Sequence, residues 1–373
     1  MRVLHVNTER TWRGGEQQVL YLMRGLKAAG VEQELLCQPD GVLATRAEQC
    51  GLDVWRRTMH GEVDLPAALA IARRIRARRP DVIHMHTSHA HTLGVLGAKL
   101  AGRRRPATVV SRRVDFSIHK RRLLDFSRQK YTWGVDRILC VSDTIRRVLV
   151  EDGLQPGRLG VVHSGIDLSR FEGVVDRAAE YRKEFGVPAG VPVIGNVAHC
   201  APHKAQADLV AAAPAVLARQ PEARLLIVGD GELRPALEAQ AAALGVSGRV
   251  LFTGFRTDVP ALLRWFDVFC LCSRQEGLGT AVLDALALRR PVVATRAGGI
   301  PEMIVSGRHG LLAPPGEPPA LAQALLWMLE HPREAAAMGA AGRARVESEF
   351  TAERMAQTTL EEYRRLLAAR VAA

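Results

Sequence analysis

Two acidic side chains, Glu276 and Asp284, flank the run Gly277-Leu278-Gly279-Thr280. An apolar strand-like segment, residues 268–271, precedes it, and a helical pattern over 280–288 follows. The amides of Leu278 to Thr280 would point at the mouth of that helix, where phosphate oxygens are readily held. A loop carboxylate such as Glu276 can accept hydrogen bonds from sugar hydroxyls. One a turn into the helix, Asp284, can accept a ribose diol. A helix N-terminus with no anion to bind tolerates both acids equally well, so spacing alone leaves both readings open.

Three other loops carry comparable chemistry. Ala198-His199-Cys200-Ala201-Pro202-His203-Lys204 follows a strand over 193–197 and sets Lys204 at the start of a helix. The macrodipole disfavours a cation there, and a bound diphosphate would reverse that cost; an ordinary exposed lysine is the alternative. His199, Cys200 and His203 match no common zinc spacing. Gly229-Asp230-Gly231-Glu232-Leu233 links a strand to a helix, and its glycines fit either close ligand approach or simple chain reversal. Gly14-Gly15-Glu16 lies between the first strand and the first helix. It could meet an anion or form a structural turn, and it lacks the GxGxxG spacing of a dinucleotide site. His84, His86, His89 and His91 form the last cluster. His84 and His86 would share a strand face, and a metal site is conceivable.

The elements that position these loops alternate along the chain. Strands are expected over 3–7, 34–37, 82–86, 108–111, 137–141 and 160–163, with helices over 16–29, 66–79, 91–101 and 120–131. The pattern resumes with strands over 193–197, 225–228, 250–253, 268–271 and 292–295 and helices over 205–219, 233–244 and 280–288. Strands this apolar, separated by helices, imply parallel sheets covered on both faces. With 373 residues, two doubly wound α/β domains are the expectation. The first covers 1–166, the second 167–350, and a final helix over 351–373, with Thr351 as N-cap, carries an apolar face of Met355, Leu360, Tyr363, Leu366 and Leu367.

Composition is that of a soluble globular protein, 47% hydrophobic and 24% charged. No run of about 18 apolar residues is present, so no spanning helix is expected. The first seven residues turn polar too early for a signal peptide. Six cysteines, several within apolar runs, read as reduced core thiols of a cytoplasmic protein, with Cys270 and Cys272 on one sheet face. The net charge of +12 is uneven: residues 1–168 hold 28 Lys and Arg against 17 Asp and Glu, the remainder 23 against 22. Arg103-Arg104-Arg105, Arg112-Arg113 and Lys120-Arg121-Arg122 are the densest part. Such asymmetry points to a polyanionic partner, namely nucleic acid, an anionic membrane or a phosphorylated acceptor; a solvated basic surface is the alternative.

The segment from Glu276-Gly277-Leu278-Gly279 through Asp284-Ala285-Leu286-Ala287, Pro291-Val292-Val293-Ala294 and Gly298-Gly299-Ile300-Pro301-Glu302 resembles glycosyltransferase family 4. Gly14-Gly15-Glu16, Asp81-Val82-Ile83-His84, Ser164-Gly165-Ile166-Asp167, Lys204, Gly229-Asp230-Gly231-Glu232-Leu233 and Phe252-Thr253-Gly254 agree with it in order. The resemblance implies the GT-B architecture: two Rossmann-like domains facing a cleft, and a last helix crossing back to the N-terminal domain. It implies that Glu276 contacts the donor sugar, Asp284 the ribose and Lys204 the diphosphate, with Gly14 and Gly15 in a loop over the phosphates. His199, Gly229, Gly231, Arg256 and Gly277 to Thr280 complete the implied donor site, Arg256 near the base. His84, His86, His89, Arg112 and Arg113 would stand on the acceptor side. The departures are Asp284 for the usual glutamate, His199 for an arginine, Ala205 for a glycine, Ser164 for an asparagine, and Arg112-Arg113 where a histidine is frequent.

The resemblance therefore implies a retaining, metal-independent glycosyltransferase with no cofactor beyond a UDP- or GDP-linked sugar. The basic first half favours an anionic acceptor, lipopolysaccharide core or a lipid-linked glycan, at the inner face of the cytoplasmic membrane. The competing readings are a sugar-nucleotide epimerase of the same architecture and a basic nucleic-acid-binding protein. The second has little behind it, with 5% aromatics and no recognised nucleic-acid motif.

Overall fold

The computed structural model describes residues 1–118 and 127–372. The basic run Lys120-Arg121-Arg122, and residues 120–126 of the helix expected over 120–131, lie outside the described residues. The chain forms two units, Met1–Asp167 together with Thr351–Ala373, and Leu168–Phe350.

In the first unit the described strands are β1 (Arg2–Val6), β2 (Glu32–Cys37), β3 (Asp53–Arg56), β4 (Val82–Met85), β5 (Ala107–Arg112), β6 (Arg137–Cys140) and β7 (Leu159–Val161). They pair in parallel in the order β3-β2-β1-β4-β5-β6-β7. All four residues of β4 are buried, as a strand covered on both faces requires. The strand order reverses at β1 and β4, and their carboxyl ends open on Gly14-Gly15 and on His86. The helix Ala352–Ala372 belongs to this unit. Thr351 Oγ1 accepts from Arg354 N at 3.1 Å, the expected N-cap bond. Met355, Ala356, Leu360 and Tyr363 pack with Val3, Tyr21, Leu22 and Leu26, and Leu366 and Leu367 lie against the same cluster.

The second unit has β8 (Val193–Val197), β9 (Arg224–Val228), β10 (Val250–Gly254), β11 (Val268–Leu271), β12 (Val292–Thr295) and β13 (Leu311–Ala313). Their order is β10-β9-β8-β11-β12-β13, again parallel, with the reversal at β8 and β11. Cys270 and Cys272 both lie in the core of this unit with Ile194, Leu225 and Val268. All six cysteines are free, and all but Cys50 are buried.

Several elements were not expected from sequence. The edge strands β3 and β13 are short and only partly buried, so they lack the continuous apolar run of a central strand. The helices Val42–Gln49, Asp143–Glu151, Pro318–Glu330 and Pro332–Glu349 were likewise not anticipated. One position needs correction. Lys204 does not begin a helix; it ends the 3-10 turn Pro202–Lys204, and the helix starts at Gln206 after Ala205 in a left-handed conformation (φ 51°, ψ 38°). Among the described residues, no helix is long and apolar enough to cross a membrane.

Candidate active site

In the second unit, the loops after β8 and β11 emerge side by side at the strand-order reversal, where open α/β sheets bind ligands. Main-chain bonds join them: Arg274 N and Gln275 N both donate to His203 O, at 2.9 and 3.3 Å. Cys272 Sγ, buried beneath, lies 3.5 Å from Lys204 O. This stitching brings together two residues 72 positions apart: Lys204 Nζ donates to Glu276 Oε1 at 2.5 Å. Glu276 is held from its own side as well. Ser273 Oγ donates to the same carboxylate oxygen at 2.8 Å, while Thr295 Oγ1, from the end of β12, bonds Ser273 O at 2.5 Å. Gly299 N donates to Glu276 O at 3.3 Å.

The helix Thr280–Ala287 opens beside this pair. Its N-cap, Gly279, is left-handed (φ 89°, ψ 54°), and its first turn has no side-chain cap and no acid. The positive end of the helix is thus left for an anion to satisfy. Asp284 sits one turn in. Its Oδ1 is shielded from solvent and has no hydrogen-bond partner among the described residues. Burial pushes its carboxyl up to about 6, partly opposed by the Arg170 guanidinium. A shielded acceptor without a donor is unusual in a folded protein and calls for a ligand or water.

Gly229 (φ 133°) and Gly231 (φ 156°) hold backbone conformations that only glycine adopts readily. A Cβ at Gly229 would run into Ala198 O, and one at Gly231 into Cys200 O. Stacking of two loop backbones accounts for both glycines, and Cys200 N donates to Asp230 O at 2.9 Å across that contact. The stacking sets His199 Nε2 3.2 Å from Glu232 Oε2. Arg256 is engaged elsewhere: its guanidinium pairs with Glu184 at 2.5 Å and Asp258 at 2.8 Å, which raises its pKa and holds the Asp258 carboxyl down at about 2.

In the first unit, Gly14 and Gly15 open the helix Gly14–Ala28. A Cβ at either would meet nothing within 4 Å, so packing inside this unit does not demand glycine there. Glu16, buried, caps the helix start by accepting from Arg13 N at 3.1 Å, and also accepts from Asn7 Nδ2 at 3.3 Å.

His5 and His84 are register partners on β1 and β4, and His86 follows them on the same face. His5 Nδ1 lies 3.0 Å from His86 Nε2; His84 bonds Ser111 Oγ at 2.8 Å and Tyr363 OH at 2.5 Å. Burial keeps all three rings neutral, His5 down at about 3 and the others well below their usual value. One nitrogen from each lies within 4.8 Å of the others, a spacing that could hold a metal. Both nitrogens of His84 are already bonded, however, and the Arg113 guanidinium lies 3.4 Å from His86 Nδ1 and bonds His86 O at 2.8 Å. That cation opposes a dication. Burial lowers Arg113 to about 10, partly offset by the charge of Glu16.

Arg112 turns away to Tyr131 OH and Phe116 O, at 2.7 Å each. His89 is exposed on the helix Ser88–Leu100, and His91 is buried against Tyr131, so the four expected histidines divide rather than converge. Sequence reasoning missed His5, Ser273, Arg170 and Tyr363. In the sequence His5 reads only as part of the first strand, and Tyr363 only as part of the apolar face of the last helix.

A model of Glycosyltransferase Family 4 matches residues 12–170, and one of Glycosyl transferases group 1 matches residues 191–331. A GDP-mannose-dependent monoacylated alpha-(1-6)-phosphatidylinositol monomannoside mannosyltransferase of Corynebacterium glutamicum is 35% identical over 243 residues, 62% of each chain. A 2-deoxystreptamine glucosyltransferase of Streptomyces kanamyceticus is 28% identical over 94% of this chain and 98% of its own. Among solved structures, the Anabaena protein HepE in complex with UDP-glucose superposes with a TM-score of 0.84 at 22% identity, over 97% of this chain and 99% of that one. That likeness shows the shared GT-B fold, with its two Rossmann-like parallel-sheet domains.

Proposed function

The chain belongs to the family 4 glycosyltransferases, and from that premise we propose that it moves a sugar, with retention, from a nucleotide-diphosphate sugar to a cell-envelope acceptor. The observation that carries this reading is the convergence of Lys204, Glu276 and an uncapped helix mouth at the strand-order reversal of the second unit.

Breaking the bond between sugar and diphosphate loads negative charge on the departing phosphate. Lys204 and the amides at the start of Thr280–Ala287 are the groups suited to stabilise it. In the structure Lys204 Nζ is bonded to Glu276; a diphosphate would compete for that cation and leave the carboxylate for sugar hydroxyls. Asp284, a shielded acceptor without a donor, suits a ribose diol. None of these steps requires a metal, and among the described residues no side chain stands out as a covalent nucleophile. Retention would then come from same-face attack by the acceptor. UDP- and GDP-linked sugars are both within this reading.

The first unit would take the acceptor, and its basic excess favours an anionic one. A lipid-linked glycan or a lipopolysaccharide core, met at the inner face of the cytoplasmic membrane, fits that charge and the lipid acceptor named for the Corynebacterium relative. Co-sedimentation with anionic liposomes that falls with salt is the expected result; indifference to lipid charge would remove the membrane from the reading.

The test of the donor site is Lys204→Ala. A thermal-shift screen of nucleotide sugars should first identify a stabilising donor. Turnover of that donor should then drop about 100- to 1,000-fold in the variant while its unfolding midpoint holds. Near-normal turnover would sink the diphosphate role. Turnover of the donor without any acceptor would favour an epimerase.

A further inference from the structure

The loop that carries Glu276 is anchored residue by residue. Arg274 N and Gln275 N donate to His203 O, and Gly299 N donates to Glu276 O. The Arg274 guanidinium grips Asp208, on the helix Gln206–Arg219, with two bonds at 2.8 and 3.0 Å. Thr295, the last residue of β12, donates its hydroxyl to Ser273 O at 2.5 Å. Each residue from 273 to 276 is thus tied to another part of the unit. None of these bonds uses the Ser273 hydroxyl, so the loop does not depend on it for its path.

That hydroxyl holds a side chain instead. Ser273 Oγ donates to Glu276 Oε1 at 2.8 Å, the same oxygen that takes the Lys204 ammonium. Two donors on one carboxylate oxygen fix the direction of the group. They differ in what a ligand does to them. A diphosphate competes for Lys204, which draws that donor off Oε1. Ser273 has no such competitor: it follows β11 into the core, is wholly buried, and has its carbonyl held by Thr295, itself only 2% exposed. The serine bond therefore outlasts the lysine bond once a diphosphate arrives. A carboxylate that must meet hydroxyls in one geometry needs such support, because a loosely held side chain has to be ordered on binding.

We propose that Ser273 is a positioning residue for the donor sugar, its hydroxyl keeping the Glu276 carboxylate in place when the diphosphate draws Lys204 away. Thr295 acts one step further back, by fixing Ser273. The proposal rests on the donor-site reading given above, and adds two residues that serve it through Glu276.

The experiment is calorimetric titration of the full chain with UDP, GDP and a panel of UDP- and GDP-linked hexoses, comparing each nucleotide sugar with its own nucleoside diphosphate. Ser273→Ala should weaken the nucleotide sugar about 10-fold, the worth of a hydrogen bond to a charged group, and leave the nucleoside diphosphate unchanged. Thr295→Val should show the same split at about 5-fold, and Thr295→Ser, which keeps the hydroxyl, should recover the parent affinity. This pair decides the matter even if Ser273→Ala does not fold. In a Glu276→Ala background, Ser273→Ala should cost nothing further, since a residue acting through another is not additive with it. Equal losses for sugar and diphosphate, no recovery with Thr295→Ser, or full additivity with Glu276→Ala would overturn the proposal and leave both hydroxyls as braces of the loop. A parent that binds its donor, with Lys204→Ala losing the diphosphate and the hydroxyl variants unchanged, sinks this inference alone. A parent that binds no nucleotide sugar sinks the donor reading, and this inference with it.

Discussion

At the scale of single residues, the second unit contrasts two carboxylates. Glu276 accepts hydrogen bonds from both a lysine and a serine, so its carboxylate is already paired. Asp284 lacks a donor on Oδ1, and burial lifts its carboxyl to about 6. The sign of its effect on stability follows. An unfolded aspartate titrates at about 3.9, so between that pH and about 6 the folded chain holds a proton the unfolded chain has lost. The contribution of Asp284 is therefore greatest below about pH 4, declines as pH rises to about 6, and stays at its lower level above that. Asp284→Asn removes the dependence. Urea denaturation should find the variant close to the parent near pH 4 and more stable at pH 8 by about 3 kcal/mol. Its affinity for the donor should fall. Equal stabilities at pH 8 would mean the carboxylate has a compensating partner after all.

At the scale of elements, the site depends on loops that pack on one another more than on any helix or strand alone. Gly229 is where the loop after β9 meets the loop after β8, which carries Lys204. Gly229→Ala adds a methyl group against Ala198 O in a backbone conformation alanine resists, a combination worth roughly 2–4 kcal/mol. The unfolding midpoint should drop accordingly, and donor affinity with it, because Lys204 moves. Gly248, where an added Cβ meets nothing within 4 Å, is the matched control and should change stability by less than about 0.5 kcal/mol. The same pair shows what was legible beforehand. The central strands and the loops that follow them were readable because buried parallel strands must be apolar and ligands gather at their carboxyl ends. The reason for each glycine was not, since Gly229 and Gly231 answer to a backbone contact with residues about 30 positions earlier. Gly14 and Gly15, alike on paper, meet no such contact. Short edge strands escaped for a related reason: β3 reads Asp-Val-Trp-Arg, and only its pairing with β2 makes it a strand. His5 next to His84 is a matter of register, which strand assignments alone do not fix.

At the scale of the whole chain, the last residues complete the first unit. The polypeptide leaves that unit at Asp167 and returns at Thr351, and the two passages are fastened together. Ala352 N donates to Ile166 O at 2.9 Å, Gln18 bonds both the N–H and the carbonyl of Gly165 (3.1 and 2.8 Å), and Arg24 pairs with Asp167 at 2.7 Å. Beyond that point the helix Ala352–Ala372 sets Tyr363 OH on His84 and Glu362, only 6% exposed, on Arg137 at 2.6 Å. Tyr363→Phe leaves a buried imidazole nitrogen without its partner, at a cost of about 1–3 kcal/mol. Removing residues 351–373 should do far more, because Val3, Tyr21, Leu22 and Leu26 lose the apolar face that covers them. Hydrogen exchange distinguishes these outcomes by region. In the truncated chain the amides of β1 and β4 should lose protection while those of β8 and β11 keep theirs. In Tyr363→Phe, protection of β1 and β4 should weaken without collapsing. Undiminished protection of β1 after truncation would mean the first unit has a self-sufficient core, and the returning helix only covers it.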